Sequence, residues 1–145
     1  MKVEWLSNDK LVVYYTLIFD NILDYEVEDV KTLIKLLVIR LRKQHHLALQ
    51  GYYHLDVYIN KIMILEFEQI DEYEEEIDLN IVLHLNHSIL ASSENRFATC
   101  GKQYFYQGRY YMDILLVDLE KEIEFLDFHY KEEAEKVKKE GMVIP

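Results

Sequence analysis

Histidines are the side chains of this sequence best suited to bind a metal ion or move a proton, and there are six of them. His84 and His87 lie three residues apart in HLNH, within a run of alternating leucines that predicts a strand. An odd spacing on a strand sends two side chains to opposite faces, so we expect that these rings do not share an ion. No C-x-x-C pair accompanies any histidine, and the sequence predicts neither a metal site nor a cofactor.

Nucleophilic chemistry finds equally little support. Cys100 is the only cysteine, and no base near it in the sequence would activate it. No nucleophile elbow, P-loop or dinucleotide glycine pattern occurs, and the chain has only four glycines. We therefore predict that the protein is not an enzyme, with an enzyme that lacks a recognisable motif as the third-ranked alternative. A single cysteine also favours the cytoplasm.

The charge of the chain is strongly acidic, with 27 Asp and Glu against 16 Lys and Arg and a formal net charge of -11. This balance argues against nucleic acid as a partner, because that affinity depends largely on cations that neutralise phosphates. Six acidic residues crowd into the segment 71–78. Glu74, Glu75 and Glu76 in this segment are candidate contacts for a basic partner. The alternative is that they form a solvated connection.

Tyrosine is the other abundant residue with interface character, occurring twelve times. Four tyrosines crowd one predicted hairpin, namely Tyr104, Tyr106, Tyr110 and Tyr111. Tyrosine offers a large contact area with a polar tip at low entropic cost, so these residues are candidates for a protein interface. Tyrosine is also a good strand residue, and the alternative is that the four pack within the sheet.

The first half of the chain is predicted to form two hairpins and a helix. Residues 1–19 contain two runs rich in β-branched and aromatic residues around a polar SNDK turn. A helix is predicted from about Val27 to His45, with one continuous apolar stripe. Residues 47–70 alternate around an Asn60–Lys61 turn, with the row of Leu55 facing inward and the row of Asp56 facing outward.

The second half begins with the acidic segment 71–78, which we interpret as an exposed connection and a possible boundary. An alternating strand follows from Ile77, and the polar residues 91–101 are predicted to form a loop. A further hairpin turns at Gln107–Gly108, and a short strand precedes the C-terminal helix. That charged helix, at 131–141, ends on a capping glycine and is predicted to be largely solvated.

These elements predict an α+β fold in which one principal helix packs on a mostly antiparallel sheet. A chain of 145 residues is long enough for one domain with a sizeable core, so we predict a single domain over residues 1–145. No apolar stretch approaches the roughly 20 residues that a membrane span needs. We also expect no signal segment and a cytoplasmic protein. A sheet edge in either half could pair with a second copy to give a homodimer.

Four parts of the sequence carry a resemblance to a known family. MKVEWLSNDKLVVYY, the helix after it and LALQGYYHLDVYINKIMILEFE follow the element order of the N-terminal domain of MecA-type adaptor proteins, and YFYQGRYYMDILLVDL is similar to the hairpin that opens their second domain. These segments cover about half of the chain. MecA-type adaptors are Firmicutes proteins that deliver substrates to a Clp-type unfoldase. The resemblance implies a protein-binding function, and no binding residue is carried over from it.

Two functions therefore stand as hypotheses. The first is a non-enzymatic cytoplasmic adaptor or regulator whose partner is a Clp-type unfoldase or its substrate. The second is an acidic inhibitor or immunity protein that blocks a basic toxin or nuclease, since charge complementarity accelerates association. Salt separates them, because the inhibitor complex should lose on-rate steeply as ionic strength rises.

Overall fold

The computed structural model describes residues 1–16, 26–72, 77–85, 87–99, 101–117 and 125–144. The described chain contains ten strands and two α-helices. Their bounds are β1 Lys2–Trp5, β2 Lys10–Thr16, α1 Val27–Gln44, β3 Gly51–Ile59, β4 Ile62–Asp71, β5 Ile77–Leu85, β6 Leu90–Ser93, β7 Gln103–Tyr106, β8 Arg109–Asp113, β9 Asp127–His129, α2 Glu132–Glu140 and β10 Met142–Ile144. The predicted α+β class is confirmed.

The strands form two five-stranded sheets. Sheet A has the order β1-β2-β4-β3-β5, and sheet B has the order β10-β7-β8-β6-β9. Pairing is antiparallel throughout the described ladders except between β3 and β5, which run parallel. Buried side chains join α1 to one face of sheet A, sheet B to its other face, and α2 to the far face of sheet B. The molecule is therefore a four-layer α-β-β-α stack.

Helix α1 forms where the apolar stripe and the terminal charges agree. Val30, Ile34, Val38 and Leu41 follow helical spacing and are buried. Acidic residues occupy its first turn and basic residues its last, as the helix dipole favours. The stripe packs on the inward row of the β3–β4 hairpin, whose largest fully buried member is Phe67. The predicted helix and its sheet contact are confirmed.

Strands β4 and β5 lie on opposite sides of the beginning of β3. Strand β4 ends beside Tyr52, and β5 begins beside Gly51 on the other side of β3. Gly51 has φ +97°, and a Cβ there would lie 2.1 Å from the carbonyl oxygen of Asp71. Only glycine accommodates both this backbone conformation and so close an approach of the Asp71 backbone. Residues 73–76, the centre of the predicted acidic connection, lie outside the described residues.

A second apolar layer holds the two sheets together. From sheet A it takes Val12, Tyr14, Tyr58, Ile62 and Ile64, and from sheet B and its flanking segments Ile89, Ala91, Met112, Ile114, Val117, Leu126 and Phe128. Sheet B covers only part of this face of sheet A, because the rows of β3 and β4 change from apolar to polar along the strands. This partial coverage creates the open surface described below.

The second half differs from the predictions in the position of one strand and in the geometry of the helix cap. Strand β6 lies at Leu90–Ser93, where a loop was predicted from residue 91, because its small residues are buried between β8 and β9. The C-terminal helix is largely solvated, as predicted, since seven of its nine residues are exposed, and only Ala134 and Val137 are buried on sheet B. The predicted cap Gly141 does follow that helix, but at φ -69°, and its missing side chain admits Val137 and Tyr104. Neither described helix is long and apolar enough to cross a membrane.

Candidate functional site

The part of sheet A that sheet B leaves uncovered presents a row of polar side chains on each of three strands. We call this surface the open face. It consists of His54, Asp56, Glu66, Glu68, Asp78, Asn80, Val82 and His84. All eight residues follow the period of two that places them opposite the α1-facing row. Three strands with a packed core behind them therefore hold this surface rigidly.

Asp56 is the centre of the open face. Its two carboxylate oxygens lie 3.2 Å from Nε2 of His54 and 3.0 Å from Nε2 of His84. His54 lies on the same face as Asp56 because of the period of two along β3. His84 lies near Asp56 because β5 runs parallel beside β3. One carboxylate thus serves two imidazoles.

Glu66 lies directly opposite Asp56 in the β3–β4 ladder, where two like charges repel. The two carboxylates are bound by different partners. Tyr130 donates its hydroxyl to Glu66 at 2.7 Å, and the Lys131 ammonium donates at 2.6 Å. Both partners come from the segment between β9 and α2. Glu66 is therefore the polar contact through which this segment is attached to sheet A.

An aromatic cluster lies beside the two carboxylates. The Tyr58 ring stacks on His84 with centroids 4.4 Å apart and also contacts His87 at 5.0 Å and Tyr130 at 4.7 Å. The Lys131 ammonium lies 5.8 Å from the Tyr58 ring centroid, within cation–π range. The imidazole of His87 donates to the carbonyl oxygen of Tyr130, which closes the cluster toward sheet B.

This arrangement corrects the prediction that His84 and His87 point to opposite faces. Their ring centroids are 6.2 Å apart, and both rings pack against Tyr58. Strand β5 ends at Leu85, so the period of two no longer applies at His87. Asn60 also donates a 2.8 Å hydrogen bond to the carbonyl oxygen of His87 and fixes the position of that loop.

The open face meets the β9–α2 segment at a junction that contains Tyr58 and Tyr130. Burial and nearby charges shift the pKa of both tyrosines. Burial raises the pKa of Tyr130, and the hydrogen bond to Glu66 and its negative charge raise it further. Burial also raises the pKa of Tyr58, and the net direction is upward although the Lys131 ammonium lowers this pKa. For Lys131 burial lowers the pKa, but the contact with Glu66 prevails and the net direction is upward. Neutral tyrosines and a charged ammonium are thus the stable forms.

A cleft of about 500 Å³ lies beside this junction, between sheet A and the β9–α2 segment. Its sheet A wall includes Tyr14 and Glu66, and the opposite wall includes Phe128 and Lys131. Tyr14 packs on Phe128 with ring centroids 5.3 Å apart, which forms an aromatic floor. The carboxylates that line the cleft outnumber its lysines, since Glu4, Glu66, Asp127 and Glu133 meet Lys10 and Lys131. The cleft therefore extends the acidic character of the open face.

The four tyrosines predicted to form one interface divide between two faces of sheet B. Tyr111 is 5% exposed and packs against Ala134 and Val137 of α2. Tyr104 and Tyr106 also pack in this layer, and Tyr106 donates its hydroxyl to Glu140 at 3.1 Å. Tyr110 points to the other face and contacts Phe105 at 5.1 Å. The predicted contacts Glu74, Glu75 and Glu76 lie outside the described residues.

The geometry suits binding by charge and aromatic contact. Within the described part of the chain no group of three or more His, Cys, Asp or Glu side chains is arranged to hold a metal ion. Sequence reasoning placed His54, Asp56, Glu66 and Glu68 on outward rows, but it did not join them into a site. The missing information was the parallel placement of β5 and the return of the β9–α2 segment onto Glu66.

Comparison of the chain with known protein families, curated proteins and solved structures gives no match.

Proposed function

We propose that this protein is a non-enzymatic protein-binding adaptor or regulator and that the open face is its contact surface. The observation that supports this proposal is a rigid, partly exposed polar surface on β3, β4 and β5 whose opposite side packs in the core under α1. Binding surfaces are commonly built in this way, because a rigid scaffold limits the entropy lost on association. The resemblance to MecA-type adaptors supports the same function.

The chemistry of the open face indicates a basic partner. It carries the carboxylates of Asp56, Glu66, Glu68 and Asp78, and the Lys131 ammonium is bound at its margin. Three of the four crowded tyrosines are engaged with α2, which favours contact through charge over contact through the tyrosine hairpin. An adaptor would use the open face for a Clp-type unfoldase or its substrate.

The carboxylates on the open face also favour the second candidate, an acidic inhibitor that blocks a basic toxin or nuclease. Complementary charge increases the association rate and makes it dependent on salt. The two functions differ in the identity of the bound protein. They share the same predicted surface, so one set of variants tests both.

The experiment is a pull-down with purified tagged protein from lysate of its own organism, followed by identification of the bound proteins and measurement of their association rate. Glu68→Lys should reduce the association rate about three- to tenfold, because it reverses an exposed charge on the open face. Glu135→Lys on α2 makes the same charge change away from the open face and should leave the rate nearly unchanged.

The bound protein identifies the function. A Clp-type unfoldase or its substrates would support the adaptor, and a basic toxin or nuclease released at moderate salt would support the inhibitor. If Glu68→Lys and Glu135→Lys bind a recovered partner equally well, the open face is not the contact surface.

A further inference from the structure

The four outer strands of the two sheets differ greatly in length. Strands β1, β9 and β10 contain four, three and three residues. Strand β5, the remaining outer strand, contains nine. Short edges are one means by which proteins prevent unwanted strand pairing, and three of these edges use it. Strand β5 does not.

The sequence of β5 also lacks three other protective features of an edge strand. It contains no proline and no lysine, and its ladder with β3 runs without a bulge from Gly51–Ile77 to Ile59–Leu85. Among the described residues no strand pairs with its outer side, and no backbone hydrogen bond from elsewhere reaches it. Val82 and Leu85 are 38% and 42% exposed. The outer side of β5 is therefore a long, regular and partly apolar edge.

We propose that β5 pairs antiparallel with β5 of a second copy of this chain and joins two A sheets into one ten-stranded sheet. The pairing would be symmetric about a two-fold axis at Ile81. This axis lets all nine residues of the strand pair, whereas moving it by one residue in either direction leaves two unpaired.

Side-chain complementarity supports this register. Asp78 lies opposite the second copy's position 84, which is histidine, so a carboxylate faces an imidazole that can donate a hydrogen bond to it twice across the axis. On the other side of the strand Ile77 meets leucine at position 85, and Leu79 meets leucine at position 83. The apolar row next to α1 therefore continues from one copy into the other. A register that differs by an odd number of residues would place apolar side chains opposite polar ones.

The pairing has a consequence for binding. A two-fold axis perpendicular to the sheet keeps equivalent faces on the same side. Both α1 helices would cover one side of the joined sheet, and the two open faces would form one continuous surface on the other. Self-association at β5 does not depend on the identity of any partner bound there.

The test uses Asn80 and Val82, which are exposed and lie opposite each other across the axis. Asn80→Lys with Val82→Lys places like charges opposite each other at two symmetric positions. Asn80→Glu with Val82→Lys places opposite charges there. Within one copy the latter pair is also compatible with its β3 neighbours, since position 80 adjoins His54 and position 82 adjoins Asp56.

Sedimentation equilibrium from about 1 μM to about 1 mM at about 0.15 M salt measures the dimer dissociation constant of each protein. The wild type is expected to dimerise, the double-lysine variant to dimerise at least about tenfold more weakly, and the glutamate–lysine variant to stay within about threefold of the wild type. Circular dichroism at low concentration confirms that each variant is folded.

Amide hydrogen exchange provides a second measurement that requires no variant. Protection of backbone amides in residues 77–85 should increase as the wild-type concentration rises through the dissociation constant, while β1 should not change. A wild-type protein that stays monomeric to about 1 mM would overturn the proposal. Equal dimerisation by the double-lysine variant would also overturn it.

Discussion

On the α1 side of sheet A, Leu55 and Leu65 are completely buried, whereas their neighbours Asp56 and Glu66 on the other side keep 23% and 22% of their side chains exposed. Both rows belong to the same two strands. The first row is closed by one continuous helix, and the second is closed by sheet B over only part of its length. At these positions the α1 side therefore stabilises sheet A by close packing, and the open face has side chains available for binding.

The open face is complete only because β5 lies beside β3, and that placement depends on Gly51. Gly51→Ala should have the largest effect on stability, lowering the free energy of unfolding by about 3–6 kcal/mol, because strain at positive φ adds to overlap with the Asp71 carbonyl. Urea denaturation measures the change. Gly108→Ala is the matched control, since Gly108 also has positive φ but has no atom within 4 Å of an added Cβ, and it should cost about 1 kcal/mol. Equal effects would show that the Asp71 backbone does not approach Gly51 closely.

Adjacent residues of β3 compare the two sides directly. Leu55→Ala leaves a cavity under α1 and should lower the free energy of unfolding by about 2–5 kcal/mol. Asp56→Ala removes partly exposed contacts with two imidazoles and should change it by less than about 1 kcal/mol. The midpoints of urea denaturation at neutral pH give both values. Similar losses for the two variants would contradict the assignment of stability to one side.

The α1 side was predictable from the sequence because its pattern is local. The helical stripe and the period of two between Tyr53 and Phe67 determine which residues face each other, whatever the order of the strands. The open face was only half predictable. Its outward rows follow from the same period, but His84 joins Asp56 only through the parallel placement of β5, and Tyr130 joins Glu66 across 64 residues of chain.

The tyrosine hairpin, formed by β7 and β8, also shows what a local sequence pattern can and does not predict. Its strands and its turn at Gln107–Gly108 are confirmed, and both turn residues have positive φ. The alternating pattern of the hairpin did not determine which of its tyrosines are exposed. The α2 sequence contains few large apolar residues, yet Ala134 and Val137 share a buried cluster with Tyr111, which is 5% exposed. Composition alone therefore underestimated this packing.

The junction between the open face and sheet B should have a smaller effect that depends on pH. Tyr130→Phe removes the hydroxyl that donates to Glu66 and should lower the free energy of unfolding by about 1 kcal/mol at pH 7. Burial and Glu66 raise the pKa of Tyr130 in the folded state above its value near 10 in the unfolded chain. The folded state then binds more protons than the unfolded state, so the stability that Tyr130 contributes is present below about pH 10 and is lost as pH rises further.

Tyr130→Phe cannot ionise at this position, so its disadvantage relative to the wild type should shrink between about pH 9 and pH 11. Urea denaturation of both proteins across this range measures the difference, and ultraviolet absorbance of tyrosinate reports the ionisation. Tyr110→Phe removes a hydroxyl from a ring that contacts Phe105, away from Glu66, and serves as the control. A disadvantage of Tyr130→Phe that stays constant through pH 11 would show that Glu66 and burial do not hold Tyr130 neutral. The junction would then resemble the exposed part of the open face more than the packed α1 side.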